Sequence, residues 1–188
     1  MLRTGRRSWS ALNASPVRAE QAQGGSVLAI DAAWLRRAEA LCCGSRPRDR
    51  IVCVDYLRDL PMTRESANAV FPFLDRLCLD PYDEVREDAL ALVGEYCASE
   101  PEMVWELVGR LAETASDEQL NELAVFVVEH LLEYHARTYI PKIGERLSAC
   151  DTRWYKILNS CYLFGEAREM TSEVTDLLVW FEANCADL

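Results

Sequence analysis

The sequence predicts an all-α fold, a short α-solenoid in which about eight or nine helices stack as antiparallel hairpins. Three observations lead to this prediction. Apolar residues recur at helical spacing along most of the 188 residues. No segment shows the sustained alternation of a half-buried strand. One pattern of apolar residues also returns after about 35 positions, which is typical of stacked helical units.

The composition is that of an ordinary globular protein. Half of the residues are hydrophobic and 27% are charged, which argues against extended disorder. The length suits one domain with a core of its own. No apolar run approaches the roughly 18 residues that a membrane span requires. We therefore expect a single helical domain over residues 26–188 that does not contact a membrane.

Residues 1–25 differ from the rest and are interpreted as a flexible basic leader. They are rich in arginine and serine, contain one acid and show no hydrophobic period. Mitochondrial targeting segments share this composition, but a disordered tail fits it at least as well. The arginines of the leader are Arg3, Arg6, Arg7 and Arg18.

Caps and breakers divide the remaining chain into helices. Ser99–Glu102 and Ser116–Gln119 have the pattern of capping boxes, and the first contains a proline suited to an opening turn. Gly44 and Pro61 are expected to end the two helices before them. From these signals and the apolar spacing we predict helices at 27–43, 51–60, 101–114, 117–135, 139–149, 152–164 and 172–184.

The repeat lies in the middle of the chain. Two apolar positions at 74 and 77 recur 34 residues later, and four at 85, 89, 92 and 93 recur 35 residues later. The segment Phe71–Leu74 also returns as the proline-bearing Ile140–Ile143, 69 residues further on. A single hairpin is too small to bury its apolar face alone, so neighbouring hairpins are expected to share one continuous core.

Residues 71–97 resemble a HEAT repeat. The segment has a proline within its first helix, an Asp-Pro turn, and a Val-Arg pair at the start of its second helix. The resemblance implies that Asp80 and Arg86 lie at the seam between repeats, where the aspartate caps and the arginine bridges.

The resemblance weakens along the chain. It is partial at 101–135, where Asn121 stands in place of the arginine of the Val-Arg pair. It is weak at 139–164, where Tyr155 stands in that place. Residues 101–147 are also similar to uncharacterised bacterial helical proteins.

Charge is distributed unevenly. Residues 1–50 carry a net charge of +5 and residues 51–135 a net charge of −14, within a chain total of −11. This balance argues against nucleic-acid binding and favours a basic protein partner. In HEAT proteins the second helix of each hairpin lines a concave surface; by that likeness the residues expected to face the partner are Glu87, Glu95, Glu122, Glu129 and Glu133. The alternative is that these acids only keep the protein soluble.

Residues suited to catalysis or metal binding are few. His130 and Glu133 share a helix face, but their spacing matches no known metal motif, and a simple His–Glu contact is favoured. The chain lacks a phosphate-binding glycine loop and a nucleophile elbow. We expect no catalytic residue, no metal and no cofactor.

The eight cysteines are interpreted as structural thiols. Several lie in apolar segments, and none forms a C-x-x-C pair of the kind that binds zinc or cycles as a disulfide. Residues 1–23 lack the apolar stretch of a signal peptide. We therefore expect reduced cysteines in a cytoplasmic protein, with Cys42 or Cys185 as candidates for a reactive thiol.

Together these features predict a non-catalytic protein-binding module, of the kind that bacterial immunity or antitoxin proteins represent. One alternative is an enzyme on a HEAT-like scaffold, since some proteins of that type act on DNA bases or attach tetrapyrroles. Another is a scaffold subunit joined to a larger assembly near Trp34 or Trp180. The sequence leaves the oligomeric state open.

Overall fold

The computed structural model describes residues 30–185, and every secondary-structure element within that range is helical. The all-α prediction is confirmed. The basic leader at 1–25 and the predicted domain start at residue 26 lie outside the described residues. Nine helices fill the described range if the uninterrupted helical stretch from 117 to 148 is taken as one.

We number the helices in chain order. The first five are α1 (Ala32–Cys42), α2 (Pro47–Arg58), α3 (Arg64–Leu77), α4 (Asp83–Glu95) and α5 (Pro101–Thr114). Helix α6 has three consecutive parts: α-helical Asp117–Leu123, a π-helical turn Ala124–Val128, and α-helical Glu129–Ser148. The last three are α7 (Thr152–Ser160), the short α8 (Glu166–Glu169) and α9 (Thr171–Cys185).

Side-chain caps begin several of these helices. The Asp31 carboxylate accepts hydrogen bonds from the amides of residues 33 and 34, and Asp151 caps α7 in the same way. The predicted capping box at Ser116 and Gln119 is formed. The one predicted at Ser99 is not, because the Ser99 hydroxyl donates to the Tyr96 carbonyl at the end of α4 instead.

The helices pack in the order of the chain around one contiguous apolar core. Neighbours α1 and α2, α3 and α4, and α5 and α6 contact each other. Odd-numbered α1, α3 and α5 contact in sequence, and so do even-numbered α2, α4 and α6. Helix α7 packs on α5 and α6, while α8 and α9 cover the second half of α6.

The boundary predicted near residue 136 is present as a kink within α6. Two helical segments meet at His135, whose φ of −141° and ψ of 31° are not helical. Pro141, which suggested a helix start, lies inside the helix. A proline inside a helix lacks one backbone N–H donor, and its ring clashes with the preceding turn. The usual result is a bend of the helix rather than its end.

The π-helical turn of α6 lies against α4. A Cβ atom on Gly94 would fall well inside contact distance of the Phe126 carbonyl oxygen. The buried Cys97 thiol lies 3.5 Å from the Val127 carbonyl. The close approach of the two helices therefore depends on a residue without a side chain.

Helix α7 ends at Ser160, earlier than the predicted residue 164. The buried Glu129 carboxylate accepts a hydrogen bond of 2.8 Å from the amide of Tyr162, so that amide does not continue the helix. Gly165 then adopts φ of 57°, which only glycine adopts without strain.

A disulfide joins Cys150, just after α6, to Cys185, at the end of α9. The expectation of reduced cysteines is therefore wrong at these two positions. The pair is separated by 35 residues and is brought together by the return of α9 along α6. Among the described residues the six other cysteines are free thiols.

Candidate functional site

Arg86 and Asp80 connect helices that are distant in sequence. The Arg86 side chain is only 5% exposed and binds Glu122 of α6 with two nitrogens, one at 2.7 Å. Its third nitrogen donates to the Asp80 carbonyl at 3.0 Å. The hydrogen bonds to Glu122 raise the pKa of Arg86. The Asp80 carboxylate in turn accepts from Arg50 of α2, at 3.1 Å, and from the amide of Tyr82.

The same row of contacts continues from α6 to α7. Lys156 donates to Asp117 at 2.7 Å, and Ser160 donates to the Asn121 side chain at 2.8 Å. Asn121 therefore takes part in a neutral contact where the HEAT pattern would place an arginine. Polar side chains thus link α2, α4, α6 and α7 in sequence.

The five acids predicted to face a partner lie in different surroundings. Glu122 is bound to Arg86, and Glu129 is buried and bound to the Tyr162 amide. Glu95 forms an ion pair of 3.3 Å with an arginine of α2, and Glu133 lies 3.3 Å from the His130 ring. Glu87 is exposed and forms no ion pair with any residue in the range 30–185.

Carboxylates concentrate on the exposed side of α4 and on the neighbouring Asp55 of α2. Burial raises the pKa of Glu87, and the neighbouring Glu122 and Asp83 carboxylates raise it further. Burial also raises the pKa of Asp88, with Asp55 and Glu84 adding repulsion against the opposing effect of Arg58. Hereafter the acidic surface means the side chains of Asp55, Asp83, Glu84, Glu87 and Asp88.

A second feature is an open groove of about 840 Å³ between the second half of α6 and α9. Its lining is mostly apolar. Gly144 is the point of close approach between α6 and α9, since a Cβ atom there would lie 3.2 Å from a methyl group of Leu177. Ile140, Pro141, Gly144, Met170, Leu177 and Trp180 line this groove.

Helix α9 has apolar residues on more than one face. Val174, Phe181 and Cys185 are buried in the core. Leu177 packs partly against the same core and also lines the groove. Trp180 lines the groove with 41% of its surface exposed, so it offers apolar surface to a partner.

Three carboxylates line the groove beside its apolar walls: Glu145 of α6, and Glu173 and Asp176 of α9. All three are exposed, and none forms an ion pair with another residue of the described range. Trp34, the other tryptophan considered for an end contact, is buried and stacks on Tyr56 at 5.2 Å. Of these two tryptophans, Trp180 is therefore the one with an exposed side chain.

Sequence reasoning missed the groove. A signal was present, because the apolar run from Leu177 to Phe181 exceeds the single stripe that a surface helix needs. Within residues 30–185 no group of three or more His, Cys, Asp or Glu side chains is placed to hold a metal ion. No helix in that range has the length and apolarity required to cross a bilayer.

The fold and these surfaces define a helical protein with one acidic surface and one apolar groove. Comparison with protein-family models, with curated proteins and with solved structures found no match.

Proposed function

We propose that this chain is a non-catalytic protein-binding module, a short HEAT-like α-solenoid that captures a basic partner protein in the bacterial cytoplasm, as an immunity or antitoxin protein does. The acidic surface on α4 carries the proposal. Five carboxylates lie together there, and burial, with added repulsion from neighbouring acids, raises the pKa of Glu87 and Asp88. Such a field attracts basic partners and repels nucleic acid.

Two observations support the solenoid part of the proposal. Each hairpin contacts the next through both of its helices, from α1 and α2 to α5 and α6. Arg86 and Asp80 bridge successive hairpins by way of Glu122 and Arg50. These contacts are what stacked repeats with a polar seam require.

The structure redirects the choice of contact residues within the proposed surface. Glu122 and Glu129 hold the fold together, so replacing them would test folding rather than binding. Glu84 and Glu87 are exposed on α4 and form no ion pair among residues 30–185. They are the acids of choice for a binding test.

The first experiment identifies the partner and tests its charge. The full chain is used to capture proteins from the native host, and the captured protein is identified by mass spectrometry and purified. Its dissociation constant is then measured by calorimetry between about 50 and about 300 mM salt, where screening shortens the range of exposed charges. We expect a basic partner whose affinity falls at least tenfold over this range.

Charge-reversal variants then test the surface. Glu84→Lys with Glu87→Lys should weaken binding at least tenfold, about 1.4 kcal/mol. The matched control is Glu102→Lys with Glu106→Lys, two exposed acids on α5 that should leave affinity within twofold. An affinity that does not change with salt, or an equal loss of affinity in both double variants, would contradict capture by the acidic surface.

The alternatives make different predictions. An enzyme on this scaffold would carry a bound chromophore or metal after purification, which absorption spectra and elemental analysis detect. A scaffold subunit would purify from its host in a stoichiometric assembly, which native mass measurement detects. If the acids only keep the protein soluble, no partner should bind with an affinity that depends on salt.

A further inference from the structure

The groove between α6 and α9 is an apolar region that is open to water. Leu177 lines it while packing partly against the core that buries Val174 and Phe181, and Trp180 lines it from the exposed side of α9. Trp180 leaves 41% of its surface in water. Burying such a side chain in a contact is favourable in proportion to the apolar area removed from water.

The walls of the groove determine what shape of ligand fits. Both walls are helices, whose backbone groups are already paired along their own axes. An extended peptide would therefore find no free backbone edge with which to form a strand. A helix satisfies its own backbone and needs only side-chain contacts, so a third helix is the suitable occupant.

The dimensions agree with a helix of modest length. The α6 wall runs from Ile140 to Ser148 and the α9 wall from Met170 to Trp180. At 1.5 Å per residue these walls are about 12 to 15 Å long. A partner helix of about three turns would span them with two or three apolar side chains.

The carboxylates of the groove determine the charge of the ligand. Glu145, Glu173 and Asp176 are exposed and have no cationic partner within residues 30–185. We propose that the groove binds an amphipathic helix of a partner protein, whose apolar face packs on Leu177 and Trp180 and whose lysines or arginines reach these three carboxylates.

This inference rests on the proposed function for the basic character of the partner, but it uses a different surface. The acidic surface lies on α4, and the groove lies between α6 and α9. Variants of one surface leave the other intact, so the failure of either proposal can be recognised separately.

The test uses a defined probe. A fluorescent peptide of about 18 residues is built from leucine, alanine and lysine, with leucine at positions i, i+3, i+4 and i+7. Its binding to the full chain is followed by fluorescence anisotropy at low salt. A scrambled peptide of identical composition keeps the charge but loses the apolar face. We expect the amphipathic peptide to bind at least tenfold more tightly than the scrambled one.

Two neighbouring residues of α9 provide matched variants. Trp180→Ala should weaken binding of the amphipathic peptide at least tenfold. Val179→Ala, at a residue that is 58% exposed but does not line the groove, should leave it within twofold. Circular dichroism and thermal unfolding confirm that both variants remain folded.

The carboxylates are tested together. Replacing Glu145 and Glu173 by glutamine and Asp176 by asparagine should weaken binding about fivefold and reduce its dependence on salt. Glu84→Gln with Glu87→Gln should have no effect on the peptide. If that pair abolishes binding while Trp180→Ala does not, or if the scrambled peptide binds equally well, the groove proposal is overturned and the acidic surface remains.

Two other occupants would also overturn the proposal. If the chain sediments as a dimer that Trp180→Ala converts to a monomer, the groove is an interface between two copies. If removal of residues 1–29 raises peptide affinity at least tenfold, the basic leader of the same chain occupies the groove.

Discussion

Two helical glycines should respond to the same substitution with opposite signs. Gly94 lies in α4 and faces the π-helical turn of α6, whereas a Cβ atom on Gly109 in α5 would have no neighbour within 4 Å. Alanine is favoured over glycine in a helix by about 0.5 to 1 kcal/mol. Gly109→Ala should therefore stabilise the protein by about that amount.

Gly94→Ala gains part of the same helix preference but creates a collision. Its Cβ would strike the Phe126 carbonyl oxygen and lie 3.2 Å from Cδ2 of His130. The first of these is backbone, so α4 and α6 must separate rather than a side chain rotate. Overpacking of this kind costs about 1 to 3 kcal/mol. We expect a net loss of about 1 to 2 kcal/mol.

Equilibrium unfolding in urea, followed by circular dichroism, measures both changes on one scale. The parent, Gly94→Ala and Gly109→Ala proteins should share the same m-value, since the surface exposed on unfolding is unchanged. If the two substitutions shift stability in the same direction, the close packing of α4 on the π-helical turn has been misjudged.

Three further predictions concern polar and covalent contacts. Arg86→Met should lower the free energy of unfolding by about 3 to 5 kcal/mol, because it leaves the mostly buried Glu122 carboxylate unpaired. Adding Glu122→Leu should restore at least about 2 kcal/mol. Urea unfolding of both single variants and the double variant measures this coupling, and simply additive effects would contradict it. Replacing Cys150 and Cys185 by serine should cost about 3 to 4 kcal/mol, the chain-entropy value for a loop of this size; a thiol reductant should destabilise the parent equally and the variant not at all. A hydrogen bond from an arginine of α3 lowers the pKa of Glu39 from 4.5 to about 2. The ionised Glu39 therefore stabilises the fold fully above pH 4.5, and this contribution is lost as the pH falls towards 2. Glu39→Gln should remove that part of the acid dependence and should change the stability at pH 7 by less than about 1 kcal/mol, because the ion pair is exposed.

The sequence was most informative where a local signal decides the structure. Ser116 and Asp151 each begin a helix because their side chains accept from amides two or three residues ahead. The cap at Asp31 was missed, and the first helix begins at Ala32 rather than at the predicted residue 27. Apolar spacing was sufficient to identify the helical class. Both kinds of signal act within one or two turns of the chain.

Features set by distant contacts could not be predicted in this way. Pro141 is compatible with a helix start or with a position inside a helix, and the structure has the second. The π-helical turn packs closely on Gly94, about 30 residues earlier, and that contact has no local signal in the sequence. Glu122 and Glu129 look like any exposed acid in the sequence until Arg86 and the Tyr162 amide are brought to them.

The groove is an intermediate case. The apolar run from Leu177 to Phe181 is wider than the single stripe of a surface helix, but it does not indicate which helix forms the opposite wall of the groove. The absence of a side chain at Gly144 allows α6 to take that place. The disulfide depends on the same juxtaposition, and a separation of 35 residues gives no local indication of it.

The long helix α6 has a consequence for how the molecule opens. It contacts α4, α5, α7, α8 and α9, so the detachment of any of these would expose apolar surface of α6. Local opening should therefore be easiest at α1, which contacts only α2 and α3 strongly. In hydrogen–deuterium exchange, the amides of 131–147 should exchange only through global unfolding, and those of α1 much sooner.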